Sequence, residues 1–141
     1  MIIAVVDGMG GGLGAQLITQ LTAHLGNKAE VIALGTNALA TSNMVRAGAA
    51  RGATGENAVV VSLPKAAIVA GPIGIVIANA MMGEITPRIA ETVAGCDARK
   101  VLLPVNQSHF EIVGLESRPL GAVIKDAVNR IAVLVREQEG V

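Results

Sequence analysis

Residues 2–6 form an unbroken run of Ile, Ala and Val, which predicts a strand covered on both faces in a parallel sheet. A glycine-rich turn follows. From Gly12 the apolar positions Leu13, Leu17, Ile18, Leu21 and Leu25 recur at spacings of three and four, one face of a helix that Gly26 and Asn27 end. A second short run at 31–34 leads through Gly35 to Thr36, placed to cap a helix running to about Ala49. Residues 52–57 (GATGEN) read as a turn, 58–61 as a third strand and 66–70 as a fourth. Only four residues separate those two strands, too few for a crossover helix, so they are either antiparallel or not adjacent. After Gly71 and Pro72 the pattern predicts a hydrophobic helix to about Met82. Thr86 and Pro87 then open another helix ending near Gly95. Residues 100–105 make a fifth strand and 111–115 a possible sixth at the edge. The helix from Pro119 to about Glu139 buries Leu120, Val123, Ile124, Ala127, Ile131 and Leu134.

Strands alternating with helices imply an α/β fold, a three-layer Rossmann-like sandwich around a mostly parallel sheet of five or six strands. At 141 residues and 14.3 kDa the expectation is a single Rossmann-like domain over residues 1–141. Eleven basic and eleven acidic residues cancel, so the chain lacks the basic footprint of a nucleic-acid binder. Phe110 is the only aromatic residue, which excludes both an aromatic platform for bases and any tyrosine-based mechanism. Cys96 stands alone, which suits a reducing cytoplasm, and no metal site is expected. No signal peptide is expected. Residues 66–83 are eighteen long without a charge, but Gly71, Pro72, Gly74 and Asn79 punctuate them, so no membrane span is expected. Windows 8–27 and 31–45 are also free of Asp, Glu, Lys and Arg. Helices without charges on their outer faces, in a chain that is 52% hydrophobic, imply a homo-oligomer.

The strongest local signal is residues 7–14, DGMGGGLG, between a strand and a helix. Glycines there let backbone amides approach an anion, and the helix N-terminus adds unpaired donors and partial positive charge. Gly8, Gly12 and Gly14 have the spacing G-x-x-x-G-x-G, similar to the nucleotide turn of short-chain dehydrogenases and reductases. Gly10, Gly12 and Ala15 fit the looser G-x-G-x-x-A. No Gly-Lys-Ser or Gly-Lys-Thr follows, so it is not a Walker A loop. A phosphorylated ligand is expected on Gly8, Gly10, Gly11, Gly12 and Gly14, with NAD(P) or another nucleotide as the cofactor class. The alternative is a tight turn that binds nothing.

Two departures qualify a dinucleotide site. Asp7 stands where reductases usually carry a hydroxyl residue, and the second strand closes on Gly35, Thr36 and Asn37 without a ribose-binding carboxylate. Asp7 is read as stiffening the turn by accepting glycine-loop amides, or as a magnesium ligand. Thr36 and Asn37 could bond a ribose, although a helix cap is the plainer role for Thr36.

Ligands of open α/β sheets bind beyond the carboxyl ends of the strands, which adds Gly71, Pro72 and the cluster Asn106, Gln107, Ser108 and His109 to the candidate site. His109 could serve as acid or base, with Asn106 orienting a substrate. Glu84, between two predicted helices, could touch the site, with solvation at a helix end as the plainer reading; Cys96, without a neighbouring base, is read as structural.

In combination, residues 7–14 (DGMGGGLG), 33–41 (ALGTNALAT), 52–57 (GATGEN), 71–75 (GPIGI), 83–87 (GEITP) and 103–106 (LPVN) resemble a small bacterial family known as domain of unknown function 3842. The resemblance spans nearly the whole chain and implies a bacterial cytoplasmic protein with a Rossmann-like fold. It carries no reaction, substrate or catalytic residue. The reductase likeness ends at the glycine turn, because those enzymes use a tyrosine that this chain lacks. Three readings follow: a protein binding a nucleotide or phosphorylated small molecule, an enzyme using the same pocket through Asp7 and His109, or a structural or interaction protein without a small ligand.

Overall fold

The computed structural model describes residues 1–105 and 110–140. The run after Met1 forms β1 (Ile2–Asp7), and the 3.6-residue apolar stripe that follows forms α1 (Gly12–Leu25). Next come β2 (Glu30–Gly35), α2 (Ala38–Arg46), β3 (Arg51–Thr54), α3 (Glu56–Ser62) and β4 (Ile68–Pro72). The chain closes with α4 (Pro87–Gly95), β5 (Arg99–Leu103) and α5 (Leu120–Glu139). All four strand pairings are parallel and the order is β3-β2-β1-β4-β5. This is the doubly wound Rossmann order, with no sixth strand among the described residues.

Alternate residues of the central strands serve two cores. Ile3 and Val5 of β1 pack with Leu17, Ile18 and Leu21 of α1, Met44 of α2 and Ile131 of α5. Ala4 and Val6 face the opposite way, toward Val59 of α3, Ile75, Ile85 and Val93 of α4. Two covered faces explain why β1 and β4 read as solid apolar runs.

Several elements differ from the sequence expectation. Residues 58–61 are helical in α3, and the third strand lies at 51–54, overlapping the stretch 52–57 read as a turn. A short apolar run does not distinguish strand from buried helix. Here Val59 and Leu63, four apart, are both fully buried, as one helical face requires. β3 is an edge strand with mostly exposed residues, so it shows no apolar signature. With the third strand moved back, α3 becomes the crossover to β4 and the parallel sheet needs no antiparallel pair.

The predicted helix after Pro72 is a 3-10 turn, Ile73–Val76, followed by tight turns. Asn79, Met81 and Met82 have φ of 68°, 57° and 56°, so a regular helix cannot run through them. Residues 111–115 form no strand: Leu115 N–H donates to the Ile112 carbonyl and Gly114 turns the chain at φ 91°. β5 therefore remains a sheet edge. Thr36 is not the cap of α2. Asn37 is, its Oδ1 accepting from Ala40 N–H at 2.8 Å, and the helix ends at Arg46. Thr86 and Pro87 open α4 as expected, with Thr86 Oγ1 accepting from Ile89 N–H. Among the described residues no helix is long and apolar enough to cross a membrane.

Candidate functional site

In this strand order the chain leaves β1 toward β2 on one side and β4 lies on the other, so a crevice opens at the carboxyl ends of β1 and β4. A cleft of about 310 Å³ occupies it. Residues 7–13 form one wall, and Pro72, Gly74, Ala80 and Met81 the other.

The glycine loop is held from several directions. Asp7, only 5% exposed, receives Gly8 N–H on Oδ1 and Gly14 N–H on Oδ2, both at 2.8 Å. Its carboxylate thus ties the end of β1 to the first turn of α1. Gly11 N–H donates to the Gly8 carbonyl at 2.9 Å and closes a turn. From α2 and its cap, Asn37 Nδ2 donates to the Met9 carbonyl at 2.9 Å and Asn43 Nδ2 to the Gly10 carbonyl at 2.7 Å. The C=O and N–H of a trans peptide point in opposite directions. Asn37 therefore turns the Gly10 N–H away from α2.

Glu84 arrives from the segment after β4. Its Oε1 accepts from Met9 N–H (2.9 Å), Thr36 Oγ1–H (2.6 Å) and Asn37 Nδ2–H (2.8 Å). The left-handed residues Met81 and Met82, with Gly83 at φ 92°, deliver it there; such strain clusters at functional sites. The Thr36 hydroxyl and the Met9 amide hold the Glu84 carboxyl below its ordinary range, helped by Asn37. Asp7 behaves oppositely. Burial raises its carboxyl above the ordinary range, against the pull of the Gly14 and Gly8 amides, and the nearby Glu84 charge adds to the rise.

The loop glycines fall into two groups. At Gly11 φ is +72° and a Cβ would stand 2.8 Å from Ala40 backbone. At Gly14 it would meet Met44 Sδ at 2.6 Å, and at Gly8 Thr36 Oγ1 at 2.5 Å. The protein itself requires those three. Gly10 and Gly12 have no left-handed φ, and a Cβ on either would meet nothing within 4 Å. The amides of Gly10, Gly12 and Leu13 also have no acceptor among the described residues. Three donors and two unexplained glycines therefore border the cleft.

Of the residues picked out in the sequence, Asp7, Gly8, Gly10, Gly11, Gly12 and Pro72 line the cleft together. Gly14 is turned to Asp7, and Gly71 packs in the sheet, where a Cβ would stand 2.2 Å from the Val6 carbonyl oxygen. Thr36 and Asn37 face Glu84 and are not in the lining. Asn106 and His109 lie outside the described residues. Asn43 and Met81 are the site residues that sequence reasoning missed; Glu84 was singled out as a residue that could touch the site, but nothing local tied its G-E-I-T-P segment to the glycine loop. Among the described residues no group of three or more His, Cys, Asp or Glu side chains could hold a metal ion.

Sheet order, switch-point cleft and glycine loop define a Rossmann-like α/β protein. Within that class the chain belongs to the family described as Domain of unknown function (DUF3842), whose model matches residues 2–136. No curated protein matches the sequence. A solved structure to which the chain is similar is the dodecameric FMN-dependent Ubix-like decarboxylase from Escherichia coli O157:H7. The likeness has 15% identity and a TM-score of 0.44, and covers 99% of this chain and 94% of that one. At that level it adds nothing about the cleft.

Proposed function

We propose that the protein binds a nucleotide or another phosphorylated small molecule in the switch-point cleft, with its phosphate on the amides of Gly10, Gly12 and Leu13. The observation that carries this reading is the pair Gly10 and Gly12, glycines that neither backbone conformation nor packing demands. A ligand lying against the backbone would demand them. The α1 N-terminus adds its dipole, and loop amides already oriented by Asp7, Asn37 and Asn43 lose little freedom on binding. An enzymatic reading would use Asp7 and His109; His109 lies outside the described residues, and both oxygens of Asp7 already hold the loop, which favours binding over turnover through Asp7.

Thermal-shift measurements against nucleotides and pyrophosphate, with and without magnesium, test the proposal. Wild-type protein is expected to melt higher with a ligand of this class. Gly12→Leu should stay folded and lose that shift. An equal shift in Gly12→Leu, or none in wild type, overturns the reading.

We also propose a homo-oligomer in the cytoplasm. Leu39 and Val45 on α2 and Val61 on α3 are exposed at 59%, 40% and 53%, apolar surface that a second copy would cover. Light scattering coupled to gel filtration should give a multiple of the 14.3 kDa chain mass; a monomer contradicts it.

A further inference from the structure

The end of β2 lacks the carboxylate that doubly wound folds place there to bind a ribose, yet a carboxylate reaches that place from elsewhere. Glu84 Oε1 lies 2.6 Å from Thr36 Oγ1 and 2.8 Å from Asn37 Nδ2, the two residues just past Gly35. The same oxygen takes Met9 N–H and lies 3.0 Å from where a Cβ on Gly8 would be, so Glu84 is not in the lining itself but sits directly against two residues that are, Gly8 and Met9. Three donors saturate Oε1 and keep the group ionised. Oε2 has no partner among the described residues.

We infer that Glu84 is the ribose-reading residue of this site and that its ligand is a nucleotide with a free 2′-hydroxyl. The inference rests on the binding reading above and gives it a ligand class. An ionised carboxylate with a vacant oxygen accepts from a hydroxyl and repels a phosphate attached at the same carbon. Glu84 does not take the donors meant for the ligand phosphate, because it uses only the Met9 amide and leaves those of Gly10, Gly12 and Leu13. Asn37, bonded to Ala40 N–H, Met9 O and Glu84, acts as a positioning residue.

The test is calorimetric titration of the full chain with the four ribonucleoside diphosphates, their 2′-deoxy counterparts and pyrophosphate, repeated on Glu84→Gln and Glu84→Asp. In Glu84→Gln the vacant acceptor becomes a donor while the Oε1 contacts keep their shape. The tightest ribonucleotide should bind wild type about tenfold better than its 2′-deoxy form, the scale of a hydrogen bond to a charged group. That ratio should fall severalfold in Glu84→Gln, whose neutral amide can at most donate to the 2′-hydroxyl oxygen without the charge-assisted bond, and pyrophosphate should still bind the variant. Glu84→Asp, one methylene shorter, should also reduce it, which keeps the test decisive if Glu84→Gln does not fold. A ratio that is absent in wild type, or unchanged in the variants, overturns the ribose assignment alone when pyrophosphate still binds. If neither pyrophosphate nor any nucleotide binds, the binding reading falls with it.

Discussion

The two sides of the β1 loop are built from similar residues and are used differently. On the β2 side the side chains are largely paired inside the protein: Thr36 and Asn37 meet Glu84 Oε1, Asn37 also caps α2, and Gly8 sits tight beneath them, with Glu84 Oε2 left over. On the β4 side Gly10, Gly12 and Leu13 leave three amides unmatched beside an open cleft. Gly10 and Gly12 are exposed and Leu13 half-buried, so water can take these amides as it does at other helix starts, and a ligand anion would replace that water. The filled side fixes the loop, and the proposed ligand phosphate would use the open side.

Substitutions should separate the two sides. The largest loss belongs to Gly71→Ala, where the new methyl meets the Val6 carbonyl oxygen inside the sheet; about 3 kcal/mol of stability should go, measured by urea unfolding. Asp7→Asn comes next. An amide replaces an acceptor with a donor facing Gly8 or Gly14 N–H, and one buried unsatisfied group costs about 1–3 kcal/mol in the same experiment. Asn37→Ala removes the α2 cap and should cost about 1 kcal/mol. Gly12→Ala has the smallest effect and the opposite sign. With open space around it at the start of α1, alanine should add about 0.4–1 kcal/mol by restricting the unfolded chain. A clear loss there would mean that the structure itself requires this glycine.

The acidic pair sharpens the contrast through pH. Carbon-13 spectra of the carboxyls should show Asp7 titrating above its ordinary 3.8 and Glu84 below its ordinary 4.5. For Glu84 the folded value is depressed, so its contribution is present above the unfolded value and lost as pH falls through the folded one. For Asp7 the folded state prefers the proton, and stability declines as pH rises from the unfolded value through the raised one. Unshifted midpoints would mean that the carboxylates are not held as described.

Much of this arrangement was legible before any coordinates. Periodicity marked α1 and α5 because one face of each meets a core, and β1 and β4 because both faces are covered. The glycine loop was legible because its context, strand then helix, is local. β3 was hidden because an edge strand with Arg51, Gly52 and Thr54 exposed carries no apolar pattern. The segment after Pro72 misled because left-handed Met81 and Met82 have no compositional mark. The place of Glu84 was out of reach for a further reason: it is 75 residues from Met9, and the turns that aim it come from tertiary structure.

The central claim, that the open amides receive a phosphate, is tested most directly by nitrogen-15 amide spectra recorded while pyrophosphate is added. Saturable shifts at Gly10, Gly12 and Leu13, with Gly8 and Gly14 little changed behind Asp7, are the predicted result. Amides at 10, 12 and 13 that stay fixed at saturating pyrophosphate, or that shift no more than those of the surface helices, would contradict it.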